Sequence, residues 1–244
     1  MNLVIDIGNT LTKVAVFENS NIVYSKIIET HNTFDPDQFQ INFQEINQCI
    51  ISSVSGNEAK IVSLLESKKI HVSQLNEDTR LPFTNKYKTK STLGKDRIAV
   101  IAGAYKLYPG KNVLVIDAGT ALKFELKNSK DEYLGGNISP GLEMRFWALN
   151  HFTARLPLLK PEEDFSLIGQ STNEAIINGV QNGLIFEIQG YIEKLKEFYP
   201  ELIIIATGGN AQFLNIHLKK AIFVVSDLTL IGLNTILEYN ESIK

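Results

Sequence analysis

Three glycine turns and one acidic tetrapeptide hold the residue types in this chain that can do chemistry. Asp6-Ile7-Gly8-Asn9-Thr10 puts a carboxylate at the end of the apolar run Leu3-Val4-Ile5. A turn follows that glycine permits, with backbone N–H groups and hydroxyls able to face an oxyanion. Alone, Asp-x-Gly-Asn at a strand end is equally an ordinary hairpin turn. The pattern returns as Asp117-Ala118-Gly119-Thr120 behind Val113-Leu114-Val115-Ile116, and two such turns can clamp a polyphosphate, with Thr10 or Thr120 on phosphate oxygens. Bare carboxylates repel phosphate, so Asp6 and Asp117 belong on the side of a bound cation. One or two aspartates plus phosphate oxygens are how Mg²⁺ is commonly held. Thr207-Gly208-Gly209 follows the apolar run Leu202 to Ala206 and precedes a helical pattern. Open α/β sheets take nucleotides at such strand ends, although a helix-entry turn reads the same in isolation.

Gly94-Lys95-Asp96-Arg97 opens another helical pattern. An acid in a first turn complements the helix dipole. The chemical reading is that Asp96 takes the proton of a hydroxyl attacking a γ-phosphate while Arg97 or neighbouring amides hold an acidic substrate. Both readings stand at this level. The segment Lys86 to Arg97 carries four lysines and one arginine against Asp96, and is either a solvated loop or an anion-facing one. Gly135-Gly136-Asn137-Ile138-Ser139-Pro140-Gly141 permits close backbone approach or a tight strand-to-helix connection. Gly179, Gly183 and Gly190 fall near one face of a long helical pattern, where close helix packing is expected.

The elements that must position these residues come in two similar sets. Leu3 to Ile5, Leu11 to Phe17 and Ile22 to Ile28 read as a β-meander; Val113 to Ile116, Ala121 to Leu126 and Tyr133 to Gly136 repeat it, Asp117 standing 111 residues after Asp6. This is an internal duplication. Helices are predicted at Asn57 to Lys68, Asp96 to Tyr108 and Leu142 to Phe152, and from the capping-box spacing Ser171-Thr172-Asn173-Glu174 to just before Pro200. A buried strand at Leu202 to Ala206, a helix from Ala211, a strand at Ile222 to Val225 and a helix at Leu228 to Tyr239 complete the chain. The turn cluster Tyr108-Pro109-Gly110-Lys111 sets the expected domains as 1–110 and 111–244.

With 244 residues, 44% apolar and 21% charged, the composition is globular and excludes disorder, collagen and coiled coil. A net charge of −3 argues against work on nucleic acid or an anionic membrane and favours small-molecule chemistry. Cys49 is the only cysteine, which excludes an intrachain disulfide and a cysteine zinc site; His31, His71, His151 and His217 show no ligand spacing. A reducing, cytoplasmic setting is expected. No signal peptide is expected, since Leu3 to Ile5 stops at Asp6, and no spanning helix, since Leu202 to Leu218 is broken by Thr207-Gly208-Gly209-Asn210.

Taken together, the blocks resemble the type III pantothenate kinases, of the actin, hexokinase and heat-shock-chaperone superfamily. The matching blocks are Asp6-x-Gly-Asn-Thr10, Gly94-x-Asp-Arg97, Asp117-x-Gly-Thr-Ala121 with Leu134-Gly-Gly-x-Ile-x-Pro-Gly141 and Thr153-Ala-x-Leu-Pro157, and Thr207-Gly-Gly209. Ile51-Ser-Ser-Val54 and Thr172-x-x-Glu-Ala175 also sit where that family has similar segments. The resemblance implies an α/β fold of two duplicated ribonuclease-H-like lobes with an ATP cleft between them, paired into a homodimer. It implies transfer from ATP-Mg²⁺ to the primary hydroxyl of pantothenate, giving 4′-phosphopantothenate, the first step of coenzyme A biosynthesis. Asp6, Ile7, Gly8, Asn9, Thr10, Leu11, Thr12 and Lys13 would line the ATP phosphates, Asp6 on the Mg²⁺ side. Thr120, Gly208 and Gly209 would bind ATP as well, and Asp117 would hold a monovalent cation, K⁺ or NH₄⁺. Asp96 would be the general base, with Tyr87, Gly94, Lys95, Arg97 and Thr172 also enclosing pantothenate. Two other functions fit the same chassis: a non-catalytic nucleotide-binding regulator, and a kinase for another small hydroxylated acid. Three residues depart from the family pattern. Lys123 and Glu125 stand where Thr and Asp are more usual, and Asn210 where an Asp commonly follows the glycines; a lysine near the cation site can offset charge that a cation supplies. The stretch Leu142 to Phe152 holds more apolar side chains than one helix face needs, so we expect it at the two-fold contact, with Thr172 and Gly94 to Arg97 close by.

Overall fold

Apolar runs bounded by turns form the strands. β1 (Asn2–Ile7), β2 (Leu11–Glu18), β3 (Asn21–Glu29), β4 (Gln48–Ser53) and β5 (His71–Gln74) make one sheet in the order β3-β2-β1-β4-β5. The β1–β2 and β2–β3 pairs are antiparallel, while β4 lies parallel to β1 and β5 parallel to β4. β1 is central, and its Leu3, Val4 and Ile5 are all fully buried, as a strand covered on both faces requires. The helices of this half are α1 (Ala59–Ser67), with Ile61 and Leu65 inward, and α2 (Lys95–Leu107). The computed structural model describes residues 1–30, 39, 41–54, 58–218 and 221–243. The first helix, predicted from Asn57, is therefore seen from Ala59, and Asn57 lies outside the described residues.

The second half repeats the plan. After a two-residue strand β6 (Thr84–Asn85) come β7 (Val113–Ala118), β8 (Ala121–Lys127), β9 (Glu132–Pro140), β10 (Ile203–Thr207) and β11 (Phe223–Val224). They join in the order β11-β10-β7-β8-β9-β6. Read from β9 to β11 this is the order β3-β2-β1-β4-β5 again, with the same antiparallel and parallel partners around the central β7. The duplication in sequence is thus a duplication of topology. Its helices are α3 (Leu142–His151), α4 (Thr172–Phe198) and α5 (Ala211–His217), packed on a core that includes Ile116, Phe124, Ile188, Ile204 and Leu214. The Ser171 hydroxyl accepts from the Glu174 N–H at 3.3 Å, and the Glu174 carboxylate accepts from the Gln170 N–H at 2.7 Å. The predicted cap is present, reaching one residue further back than a standard capping box.

Two compact units result: Met1–Gly110 with Lys130–Leu134 and Asp227–Lys244, and Lys111–Ser129 with Gly135–Ser226. The first stretch of the first unit ends at Gly110, within the turn cluster. Residues 130–134 and 227–244, expected with the second half, pack instead with the first. For the closing helix α6 (Leu228–Ser242) the reason is physical. It buries Leu228, Leu230, Leu233, Ile236 and Leu237, more than one stripe, so it needs neighbours on several sides. It finds them in α2, β1 and β4. At Gly232 the crossing with α2 is so close that a Cβ would stand 1.8 Å from the Ala99 carbonyl oxygen. The glycines of α4 differ from expectation: a Cβ on Gly179, Gly183 or Gly190 would meet nothing within 4 Å among the described residues. Instead of a helix contact they form an open stripe that also includes the half-exposed Phe186.

Candidate active site

In the first unit Asp6 is the penultimate residue of β1. Across the sheet Lys13 of β2 lies opposite it on one side and Ser52 of β4 on the other. In the second unit Asp117 holds the same place on β7, with Lys123 of β8 and Thr207 of β10 as its register partners. Partners in register point to the same face of a sheet, so each unit displays a row of lysine, aspartate and hydroxyl. The hydroxyls of Ser52 and Thr207 are buried and have no hydrogen-bond partner among the described residues. Buried polar groups are ordinarily satisfied, and the two orphans stand at equivalent positions of the two sheets.

The turn after Asp6 is closed by the Gly8 N–H donating to the Leu11 carbonyl at 3.0 Å. The Thr30 hydroxyl donates to the Gly8 carbonyl at 3.0 Å and lies 3.1 Å from the Thr12 hydroxyl. Thr12 is thereby engaged within the unit, and the Ile7 side chain is in the core. Asn9, Thr10 and Leu11 are exposed on the turn, and Lys13 is half-buried.

Around Asp117 the sheet face is occupied by protein. Lys123 Nζ sits 2.7 Å from Asp117 Oδ2, and both side chains are only 14% exposed. Glu125, two residues along β8 and so on the face of Lys123, is fully buried. Gly208 has φ +89°, and a Cβ there would fall 2.7 Å from Asp117 Oδ1 and 2.6 Å from the Ala118 carbonyl carbon. Only glycine fits, for conformation and for space. The third glycine element is therefore brought against the second, with Gly209 and Thr120 exposed nearby in sequence. Asn210 donates its backbone N–H to the Ala118 carbonyl at 2.9 Å and its side-chain amide to Glu143 at 3.0 Å. An amide donor, which an aspartate lacks, thus ties α3 to the turn.

The acceptor candidates Tyr87, Gly94, Lys95, Asp96 and Arg97 gather in the first unit. Gly94 is the N-cap of α2 and Asp96 stands in its first turn. The Arg97 N–H donates to Asp96 Oδ1 at 2.9 Å, which turns the carboxylate back over Gly94. Arg97 is 5% exposed; it donates to the Tyr87 hydroxyl at 3.3 Å, with its guanidinium carbon 5.1 Å from the Tyr87 ring centroid. Tyr87 in turn stacks on the buried Tyr133, centroids 6.0 Å apart. The basic segment is thus not one field, for Lys86 also pairs with Glu132 at 3.2 Å. Thr172, the first residue of α4, is exposed in the second unit. Sequence reading places Thr207 in a glycine turn and Ser52 in a family-like segment without singling out either hydroxyl, and misses Tyr133 as the platform for Tyr87. A hydroxyl at the end of the strand beside each aspartate is the signal that could have found the first two.

Among the described residues no group of three or more His, Cys, Asp or Glu is gathered for a metal ion, and no helix is long and apolar enough to cross a membrane. A groove lined by Ser73, Asn76, Arg80, Asn240 and Glu241 contains none of the motif residues.

Duplicated ribonuclease-H-like sheets, each ending its first strand in an aspartate and a glycine turn, define the actin-like fold class. Solved structures agree in fold. A Campylobacter jejuni protein ascribed to the Baf family of transcriptional activators superposes with a TM-score of 0.66 at 23% identity, covering 98% of this chain and 99% of its own. Component A of the (R)-2-hydroxyglutaryl-CoA dehydratase of Acidaminococcus fermentans superposes with a TM-score of 0.55 at 13% identity, covering 100% of this chain and 99% of its own. The sequence profile of the type III pantothenate kinases matches residues 2–194. A type III pantothenate kinase of Christiangramia forsetii is 46% identical over 243 residues, 99% of this chain and 100% of its own. One from Bacteroides fragilis is 41% identical over 240 residues, 98% of each chain. The chain belongs to the type III pantothenate kinase family.

Proposed function

We propose that this chain transfers the γ-phosphoryl group of ATP to the primary hydroxyl of pantothenate, yielding 4′-phosphopantothenate and ADP at the entry to coenzyme A biosynthesis. The observation that carries the reading beyond family membership is the cluster of Gly94, Asp96, Arg97 and Tyr87 at the start of α2. Asp96 Oδ2 accepts the proton as the hydroxyl oxygen bonds to phosphorus and the bond to the ADP oxygen breaks; the proton then passes to solvent. Arg97 and the N-terminal amides of α2 present positive charge to the carboxylate of the acceptor, and Lys95 and Tyr87 frame it; Thr172 of the second unit is a further acceptor-binding candidate.

Asp6, the turn from Ile7 to Leu11, Thr12 and Lys13 are the ATP-phosphate residues of the first unit, and Thr120, Gly208 and Gly209 the nucleotide-binding residues of the second. Asp6 would stand beside the Mg²⁺ bound with ATP, which would neutralise phosphate charge. A monovalent cation on Asp117 does not fit the residues present, because Lys123 already engages that carboxylate, and no step here runs through such an ion. A cytoplasmic setting suits an enzyme that spends ATP.

A homodimer is supported by α3. Leu142 and Phe146 are buried, whereas Met144, Trp147 and the following Phe152 are 39%, 51% and 78% exposed. The helix is thus not a fully buried core element, and its outer face is apolar. The direct test of function is incubation with ATP, Mg²⁺ and pantothenate, with product followed by mass. Tight ATP binding without turnover would instead favour the regulator, and turnover only on a different acid would favour the other kinase.

A further inference from the structure

The face of the second sheet around Asp117 carries two carboxylates where desolvation is severe: Asp117 at 14% side-chain exposure and Glu125 fully buried. Two like charges so desolvated are unfavourable unless a cation lies among them, and a triphosphate nearby raises that demand. In this chain the cation is covalently attached. Lys123 stands directly across the antiparallel ladder from Asp117 and places Nζ 2.7 Å from its Oδ2. The first sheet has the same design, with Lys13 across from Asp6. The Thr207 hydroxyl, orphaned in the same row, leaves an oxygen that a nucleotide phosphate or its water can satisfy.

We propose that Lys123 is a tethered monovalent cation: its ammonium supplies at Asp117 the charge otherwise recruited from solution as K⁺ or NH₄⁺, so that phosphoryl transfer by this chain needs no monovalent metal. The ammonium ion and K⁺ carry the same charge, and a lysine fixed by its strand is present at every turnover whatever the salt. The proposal rests on Asp117 facing the nucleotide. If that placement fails, Asp117→Asn keeps wild-type turnover and ATP affinity; if only the role of Lys123 fails, Asp117→Asn is impaired while the wild type responds to K⁺.

The test compares wild type and Lys123→Met in potassium, ammonium and tetramethylammonium chloride at equal ionic strength, reading kcat/KM for ATP and, separately, the melting temperature with a non-hydrolysable ATP analogue. We expect wild-type values to superimpose in all three salts. Lys123→Met should lose about 10²-fold in tetramethylammonium, the usual worth of one preorganised charge at a reacting phosphate. Potassium and ammonium should restore it saturably and raise its melting temperature by a few degrees, as ligands that bind only the folded state do. Saturable potassium activation of the wild type would overturn the proposal. So would a folded Lys123→Met that is fully active in every salt, or one that no salt restores. Should Lys123→Met fail to fold, the wild-type titration decides alone, a flat response supporting the proposal and saturable activation ending it.

Discussion

The proposed function gives Asp96 two jobs that substitution can separate. Its Oδ1 accepts from the Arg97 N–H and so caps the first turn of α2, while Oδ2 is the oxygen proposed to take the proton. Asparagine keeps an acceptor of the same shape at the first position and offers no base at the second. Asp96→Asn should therefore fold and bind ATP normally but lose about 10²–10⁴ in kcat, the range that general bases contribute. Steady-state kinetics beside a thermal melt checks this, and wild-type turnover would reduce Asp96 to a helix-end acid. Residue types and spacings made these residues candidates, because phosphate chemistry needs glycine turns and carboxylates whose pattern is local in sequence. The roles of the Ser52 and Thr207 hydroxyls and of Tyr133 were not legible for the converse reason. Ser52 and Thr207 are cross-strand neighbours 46 and 90 positions from Asp6 and Asp117, and Tyr133 stacks on Tyr87 46 positions away, and no local pattern records that adjacency.

Elements carry their own predictions. Helix α2 bears Asp96 at one end and is held from behind by α6 at Gly232. Gly232→Ala would drive a methyl group into the Ala99 carbonyl oxygen, and overpacking of this kind costs roughly 1–3 kcal/mol. Denaturant melts should show that loss at unchanged m-value, and kcat should fall as the start of α2 shifts; a variant as stable as wild type would mean that the helices part freely. Strand β4 offers a second check. Cys49 is fully buried there, and burial pushes its thiol far above the ordinary range, so thiolate is scarce. It should react with a chromogenic disulfide reagent only at the rate of unfolding, and prompt labelling in native buffer would show that β4 opens. The strands themselves were readable because central ones are continuous apolar runs. The open glycine stripe of α4 was not, since spacing shows which residues share a face and is silent about what lies opposite.

At the scale of the whole molecule the first expectation concerns assembly. The outer face of α3 with Met144, Trp147 and Phe152, and the bare stripe of α4 around Phe186, are surfaces that a second copy of the chain can cover. Light scattering should give about twice the 27.3 kDa chain mass. Trp147→Glu should shift it to the monomer and lower activity, whereas an active monomer at every concentration would remove the dimer from the account. The placement of α6 has a different consequence, one of timing. Residues 1–110 leave the ribosome first, yet the helix that completes their unit is made only after residue 226. At translation rates of about 5–20 residues per second the wait is on the order of ten seconds. Through that interval the face of α2 around Ala99 and Gly103 has no partner, while the unit begun second already has all its strands. The part of the enzyme made first is finished last, and nascent-chain chaperones should find their substrate there.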